Sequence, residues 1–156
     1  MTAPPGHDKP KNMANAEEEE LYREIPHTAD LAIEVRGGSV EELFEKAGRS
    51  LYALMVDTTG IRELEEVMVE AEGETTEELL VEWLSQLLKL FNLSEFVGKR
   101  IRISRFERRG LRALVWGERF DPRRHDFYTE IKGVTFHGLS VVQEAEEWKA
   151  QVIFDV

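Results

Sequence analysis

Three short stretches of this 156-residue chain carry side chains with chemistry within reach. His27-Thr28-Ala29-Asp30 stands at the mouth of a predicted strand. There Asp30 either caps free backbone amides or binds an ion. In EIKGVTFH, residues 130–137, a period of two sets Lys132 on one strand face with Val134 and Phe136. Lys132 either carries its amine past these apolar neighbours to water or works beside carboxylates. The chain ends QVIFDV, placing the Asp155 side chain next to the Val156 α-carboxylate at the end of an apolar strand, where termini usually fray.

The absence of Cys removes thiolate metal sites, cysteine nucleophiles and disulfides together, and fits a reducing compartment. The motifs of familiar catalysts are missing. There is no G-x-S-x-G elbow, phosphate-binding G-x-x-x-x-G-K-[ST] loop, G-x-G-x-x-G turn or H-E-x-x-H helix. A metal-dependent hydrolase built on His27, Asp30 and His125 or His137 can be written down, but no nucleophile and base stand at a recognisable spacing. Acid runs such as Glu17–Glu20 and Glu144–Glu147 are ordinary solvated surface.

The net charge of -11 argues against a protein that coats nucleic acid with its whole surface. The charge is uneven, however. Lys99 to Arg124 holds ten bases and three acids, leaving +7 there and -18 elsewhere. Arg108, Arg109, Arg123 and Arg124 in this stretch are candidate contacts to RNA or to an acidic protein surface; the alternative is a salt-bridged, solvated exterior.

These groups need elements to hold them. Residues 1–19 lack periodicity and are expected to form a disordered tail; residues 20–156 form one domain. LYREI and LAIEVRG predict strands. Ser39 with Glu42, and Thr75 with Glu78, have the capping-box spacing ahead of apolar series at helical period. LEEVMVEAEG predicts a strand between the helices, and after Gly98 the period turns to two through a basic hairpin, KRIRISRFE and LRALVWGERF. Asp121-Pro122 predicts a short helical start, and at least two more strands follow. The order of elements implies an α+β fold: a single domain with two amphipathic helices packed on a mixed, mostly antiparallel β-sheet. No apolar run approaches the ~20 residues that span a bilayer, and the N-terminus lacks an apolar signal segment, so a cytoplasmic protein with no membrane partner is expected.

HTAD, LLVEWLSQLL, EIKGVTFH and the terminal IFDV, in this order and spacing, resemble the archease family over about residues 21–156. The resemblance implies an α+β protein that is not an enzyme. Its implied role is to activate the GTP-dependent tRNA-splicing RNA ligase, promoting guanylylation of that ligase's active-site histidine and repeated turnover. It also implies a divalent-ion site with Asp30, Asp155 and the Val156 carboxylate as ligands, and Lys132 acting with Asp30 and Asp155 in ligase activation. His27 and His137 are secondary candidates. Oxygen-only ligation favours Ca²⁺, with Mg²⁺ and Mn²⁺ as alternatives, because three converging carboxyl groups repel unless a cation lies among them. Gly133 and Phe136 stand where the family usually has Ala and Tyr, and Pro26 where an acid is frequent. Besides the ligase, tRNA and a tRNA methyltransferase, the latter chaperoned by this protein, are the expected partners.

Overall fold

Ser39 and Thr75 begin the two helices by satisfying amides that no helical carbonyl reaches. Helix α1 spans Val40–Met55, with Ser39 Oγ accepting the Glu42 N–H at 3.1 Å and the Glu42 carboxylate accepting the Gly38 N–H at 2.7 Å. Helix α2 spans Thr76–Ser94 with the same arrangement: Thr75 Oγ1 accepts the Glu78 N–H at 3.1 Å, and Glu78 accepts the Glu74 N–H at 2.9 Å. Both capping boxes form as their spacing predicts. At its far end α2 stops at Glu95, whose left-handed φ of 60° turns its N–H back to the carbonyls of Leu90 and Phe91.

The computed structural model describes residues 20–25 and 30–156. The tail expected over 1–19, and His27, lie outside the described residues. Seven strands follow the predicted order: β1 (Arg23–Ile25), β2 (Leu31–Gly37), β3 (Glu65–Glu72), β4 (Phe96–Glu107), β5 (Gly110–Arg119), β6 (Gly133–Glu144) and β7 (Glu147–Asp155). The class is α+β with two helices, as expected, but the strands part into two sheets and every pairing is antiparallel. One sheet has the order β1-β2-β7-β6 and the other β3-β5-β4. Each helix touches both: α1 packs on β2 and β4, α2 on β3 and β6. The helices therefore carry apolar side chains to two sheets at once, which is why their stripes are broad.

The helices lock together at Gly48. A Cβ there would lie 2.8 Å from Leu87 Cδ1 and 2.9 Å from Ile101 Cδ1. Trp83 Nε1 donates to the Phe44 carbonyl at 2.9 Å and the Tyr52 hydroxyl to the Leu87 carbonyl at 2.7 Å, so two large buried side chains leave no polar atom stranded. Desolvation pushes the Tyr52 hydroxyl far above its ordinary range, and it stays a donor at any physiological pH.

The helix expected at Asp121-Pro122 does not propagate. Asp121 O accepts from the Arg124 and His125 amides at 2.9 and 2.8 Å, closing one turn only. The His125 ring then accepts the Asp121 N–H at 2.8 Å, and Phe127 stacks on Phe91 with centroids 6.2 Å apart. Side-chain anchors thus pull the segment away from a helical path.

Candidate functional site

The register of the first sheet decides where the chain's last carboxylates go. The β2–β7 ladder ends with Leu31 facing Phe154, and Asp30 and Asp155 are the next residues of their strands at that end. On the other side of β7, Gly133 faces Asp155, and the Lys132 N–H donates to the Asp155 carbonyl at 2.7 Å. One end of the sheet therefore gathers Asp30, Asp155, Val156 and Lys132. Phe154 and Ile131, 0% and 1% exposed, anchor the two strands beneath it, while Asp155, Val156 and Lys132 are exposed and Asp30 is half-buried. Apolar neighbours fix the backbone, and the charged groups lie at the rim.

Like charges at facing strand positions repel. Two side-chain carboxylates with a main-chain carboxylate beside them suit a hard cation that completes its shell with water or a partner's oxygens, and they do not suit a tetrahedral ion that needs nitrogen or sulfur ligands. Among the described residues no group of three or more His, Cys, Asp or Glu side chains is arranged to hold a metal. His137 lies on the exposed part of β6, where its N–H donates to Thr135 Oγ1 at 3.2 Å. His125 is elsewhere, buried beside β5, so of the hydrolase alternative's histidines the two that are described, His125 and His137, lie apart.

His125 belongs to a charged cluster that spacing does not reveal. Glu118, 5% exposed, accepts from the Arg62 amide at 2.8 Å, pairs with the Arg62 and Arg124 guanidiniums at 3.0 and 3.2 Å, and meets His125 Nε2 at 3.1 Å. Because His125 Nδ1 accepts the Asp121 N–H, the neutral ring carries its proton on Nε2 and donates to Glu118. Burial alone would raise the Glu118 pKa. The hydrogen bonds from Arg62 and His125 and the charge of Arg124 outweigh it and hold the carboxyl at about 2. The sequence signal was faint: one of three acids inside the basic stretch, next to Gly117 on a strand whose alternate residues are buried.

The basic stretch is largely occupied by acids. Arg100 bonds Glu63 at 2.9 Å and lies 3.8 Å over the Trp116 ring, Arg112 bonds Glu70 at 2.8 Å, and Arg109 lies 3.8 Å from Glu74. Arg123 and Arg124 pair with Asp121 and Glu118 at 3.5 and 3.2 Å. Lys99 donates to the Thr58 carbonyl at 3.0 Å. Of the candidate contacts, Arg108 alone has no ion pair among the described residues.

Comparison with known proteins places this arrangement. Residues 22–156 match the archease protein family (MTH1598/TM1083). Protein archease of Methanosarcina mazei is 37% identical over 139 residues, which is 86% of this chain and 95% of the relative. The solution structure of Methanobacterium thermoautotrophicum protein 1598 superposes with a TM-score of 0.74 at 30% identity, covering 86% of this chain and 98% of that one. The crystal structure of an archease, possible chaperone, from Thermotoga maritima gives 0.62 at 26% identity, over 91% and 99% of the two chains. The match takes in both capped helices, both sheets and the strand ends that carry Asp30, Lys132 and Asp155: this chain belongs to the archease family.

Proposed function

We propose that this chain is an accessory protein of the GTP-dependent tRNA-splicing RNA ligase, promoting guanylylation of the ligase's active-site histidine and repeated turnover without being a catalyst itself. The observation that supports the proposal is the β2–β7 register, which ends beside Asp30 and Asp155 at the same sheet end where the Lys132 main-chain N–H donates to the Asp155 carbonyl. Asp30, Asp155 and the main-chain carboxylate of Val156 would hold a divalent cation, Ca²⁺ by preference, since a sparse and irregular oxygen set suits its tolerant coordination better than the strict octahedron of Mg²⁺. When bound, the ion supplies a positive centre with open positions for water or an oxygen of the partner. The chain's own residues set up the surface: Phe154 and Ile131 are buried beneath the strand ends, and Lys132 is exposed next to them, held by its main-chain N–H to the Asp155 carbonyl. Such a surface fits the polyanionic nucleotide end of a ligase site.

The test is reconstituted ligation under multiple turnover, with transfer of GMP to the ligase followed directly. The intact protein should accelerate transfer, and Asp30→Asn, Asp155→Asn and Lys132→Ala should not. Variants as effective as the intact protein would overturn the role of the site. A second reading, chaperoning of RNA-modifying enzymes such as a tRNA methyltransferase, draws on the description of the Thermotoga maritima archease as a possible chaperone and on the exposed Leu64, Met68 and Leu93. Suppression of methyltransferase aggregation with no effect on ligation would favour it.

A further inference from the structure

The three-stranded sheet ends at β3, which among the described residues pairs only with β5. Alternate residues of such an edge turn their main-chain N–H and C=O away from the sheet, where an added strand can take them. Along this edge runs a cleft of about 170 Å³, lined by Met68, Val69 and Glu70 of β3 and by Gln86, Leu90 and Leu93 of α2. Successive strand residues point to opposite faces, so a cleft touching 68, 69 and 70 together follows the strand's rim rather than one face. The three helix residues stand at i, i+4 and i+7, a single stripe of α2. Met68 and Leu93 are 56% and 78% exposed.

A strand laid on this edge would have two different sides. On the outer face it would meet Glu66, Met68, Glu70 and Glu72, all exposed, a row with acids and no base. Trp116 Nε1 donates to Glu66 Oε1 at 3.0 Å and Arg112 Nε to Glu70 Oε2 at 2.9 Å, so each of these acids is engaged through one oxygen. On the inner face it would meet Val67 and Val69 of β3, and Leu90 and Leu93 of α2.

We propose that the cleft takes an extended segment of a partner protein in which basic and apolar residues alternate, added to β3 as a further strand. The acids select it. Facing strand positions attract when their charges are opposite and repel when they are alike. The row Glu66, Glu70, Glu72 therefore favours Lys or Arg at every second position, and the residues between them fall on the α2 side, where apolar side chains fit. Lys89, the cleft's one base, is on the helix and outside that row. The other edge of β5 already holds such a strand: in β4, Arg100 and Arg102 are exposed opposite Trp116 and Leu114, while Ile101 between them is buried. A second copy's β4 has the right alternation, but its own edge is partly covered, since the Glu45 carboxylate accepts the Ile103 N–H at 2.8 Å. The same acids turn away a nucleic acid. The cleft is on the sheet that does not carry Asp155, so the proposal holds independently of the ligase reading.

Fluorescence anisotropy tests it, with the full chain titrated into a labelled synthetic peptide that is eight residues long, like β3, and alternates Lys with Val. A Kd of about 100 µM is expected. Any cation is drawn to a protein of net charge -11, so a second peptide has the same composition with its lysines grouped at one end. It should bind about tenfold more weakly, and a peptide alternating Glu with Val should bind more weakly still. Leu93→Asp should weaken binding of the alternating peptide about tenfold, although it makes the protein more negative. Glu66→Lys together with Glu72→Lys should weaken it as well and should strengthen binding of the Glu-Val peptide. In the isotope-labelled protein the amide resonances of β3 and of the second half of α2 should shift on binding. A grouped peptide that binds as well as the alternating one, tighter binding by Leu93→Asp, or no binding of the alternating peptide at about 1 mM would each overturn the proposal.

Discussion

Asp155 and Glu118 show how surroundings give one chemical group two tasks. Asp155 is exposed at the strand end next to which Asp30 also lies, and in the proposed function a cation would offset the charge of both. Asp155→Asn should therefore lower Ca²⁺ affinity by at least tenfold in calorimetric titration. In chelator the same change should leave the melting temperature equal or slightly higher, since a neighbouring like charge is gone. A fall in both would mean that the side chain is structural. Glu118 is the reverse case, buried and surrounded by Arg62, Arg124 and His125. Its carboxyl is held at about 2, below the 4.5 usual for Glu. The stabilisation is present above the unfolded pKa and is lost as pH falls through the folded one, so it should disappear between about pH 4.5 and pH 2. Glu118→Gln should cost about 2 kcal/mol at neutral pH. Acid unfolding curves should converge with the parent below pH 3; a constant gap would assign the effect to packing alone.

Helices and strands differ in how much of their placement is local. The caps act within four residues, so Ser39→Ala and Thr75→Ala should each cost about 1 kcal/mol in chemical denaturation, with a null effect showing the 3.1 Å contacts to be incidental. At the crossing of the helices, Gly48→Ala must push aside the ends of Leu87 and Ile101, and about 1–3 kcal/mol is expected. The locality of caps and period is why both helices were legible in the sequence, as were the strands through their alternation. The division into two sheets was not legible, because β2 finds β7 across more than a hundred residues and nothing near either strand states the choice. The short start at Asp121 forms its one turn, with the carboxylate accepting the Arg123 N–H, and ends there as His125 bonds back and Glu118 holds Arg124. The candidate site was half legible. Its residue types stood out, but Lys132 meets Asp155 only through the β6–β7 register.

Across the whole molecule, a net charge of -11 coexists with a basic hairpin in which Arg100, Arg105, Arg109 and Arg112 hold acids at 2.8–3.8 Å. These pairs lie within contact distance, whereas repulsion among the remaining acids acts over many ångströms, and added salt screens the long range first. Raising NaCl from about 50 to about 500 mM should therefore raise the melting temperature by a few degrees; a fall would show that the ion pairs outweigh the repulsion. The same pairing bears on what the hairpin can touch. An arginine already bound to a neighbouring glutamate must give up that bond to hold a phosphate, so few free cations remain to release counterions. Arg108→Glu with Arg109→Glu should consequently leave stimulation of the ligase within about twofold at low and at moderate salt. The acidic strand ends, on the other sheet, would then carry the encounter. A loss of stimulation that grows as salt is lowered would instead put the hairpin in the interface.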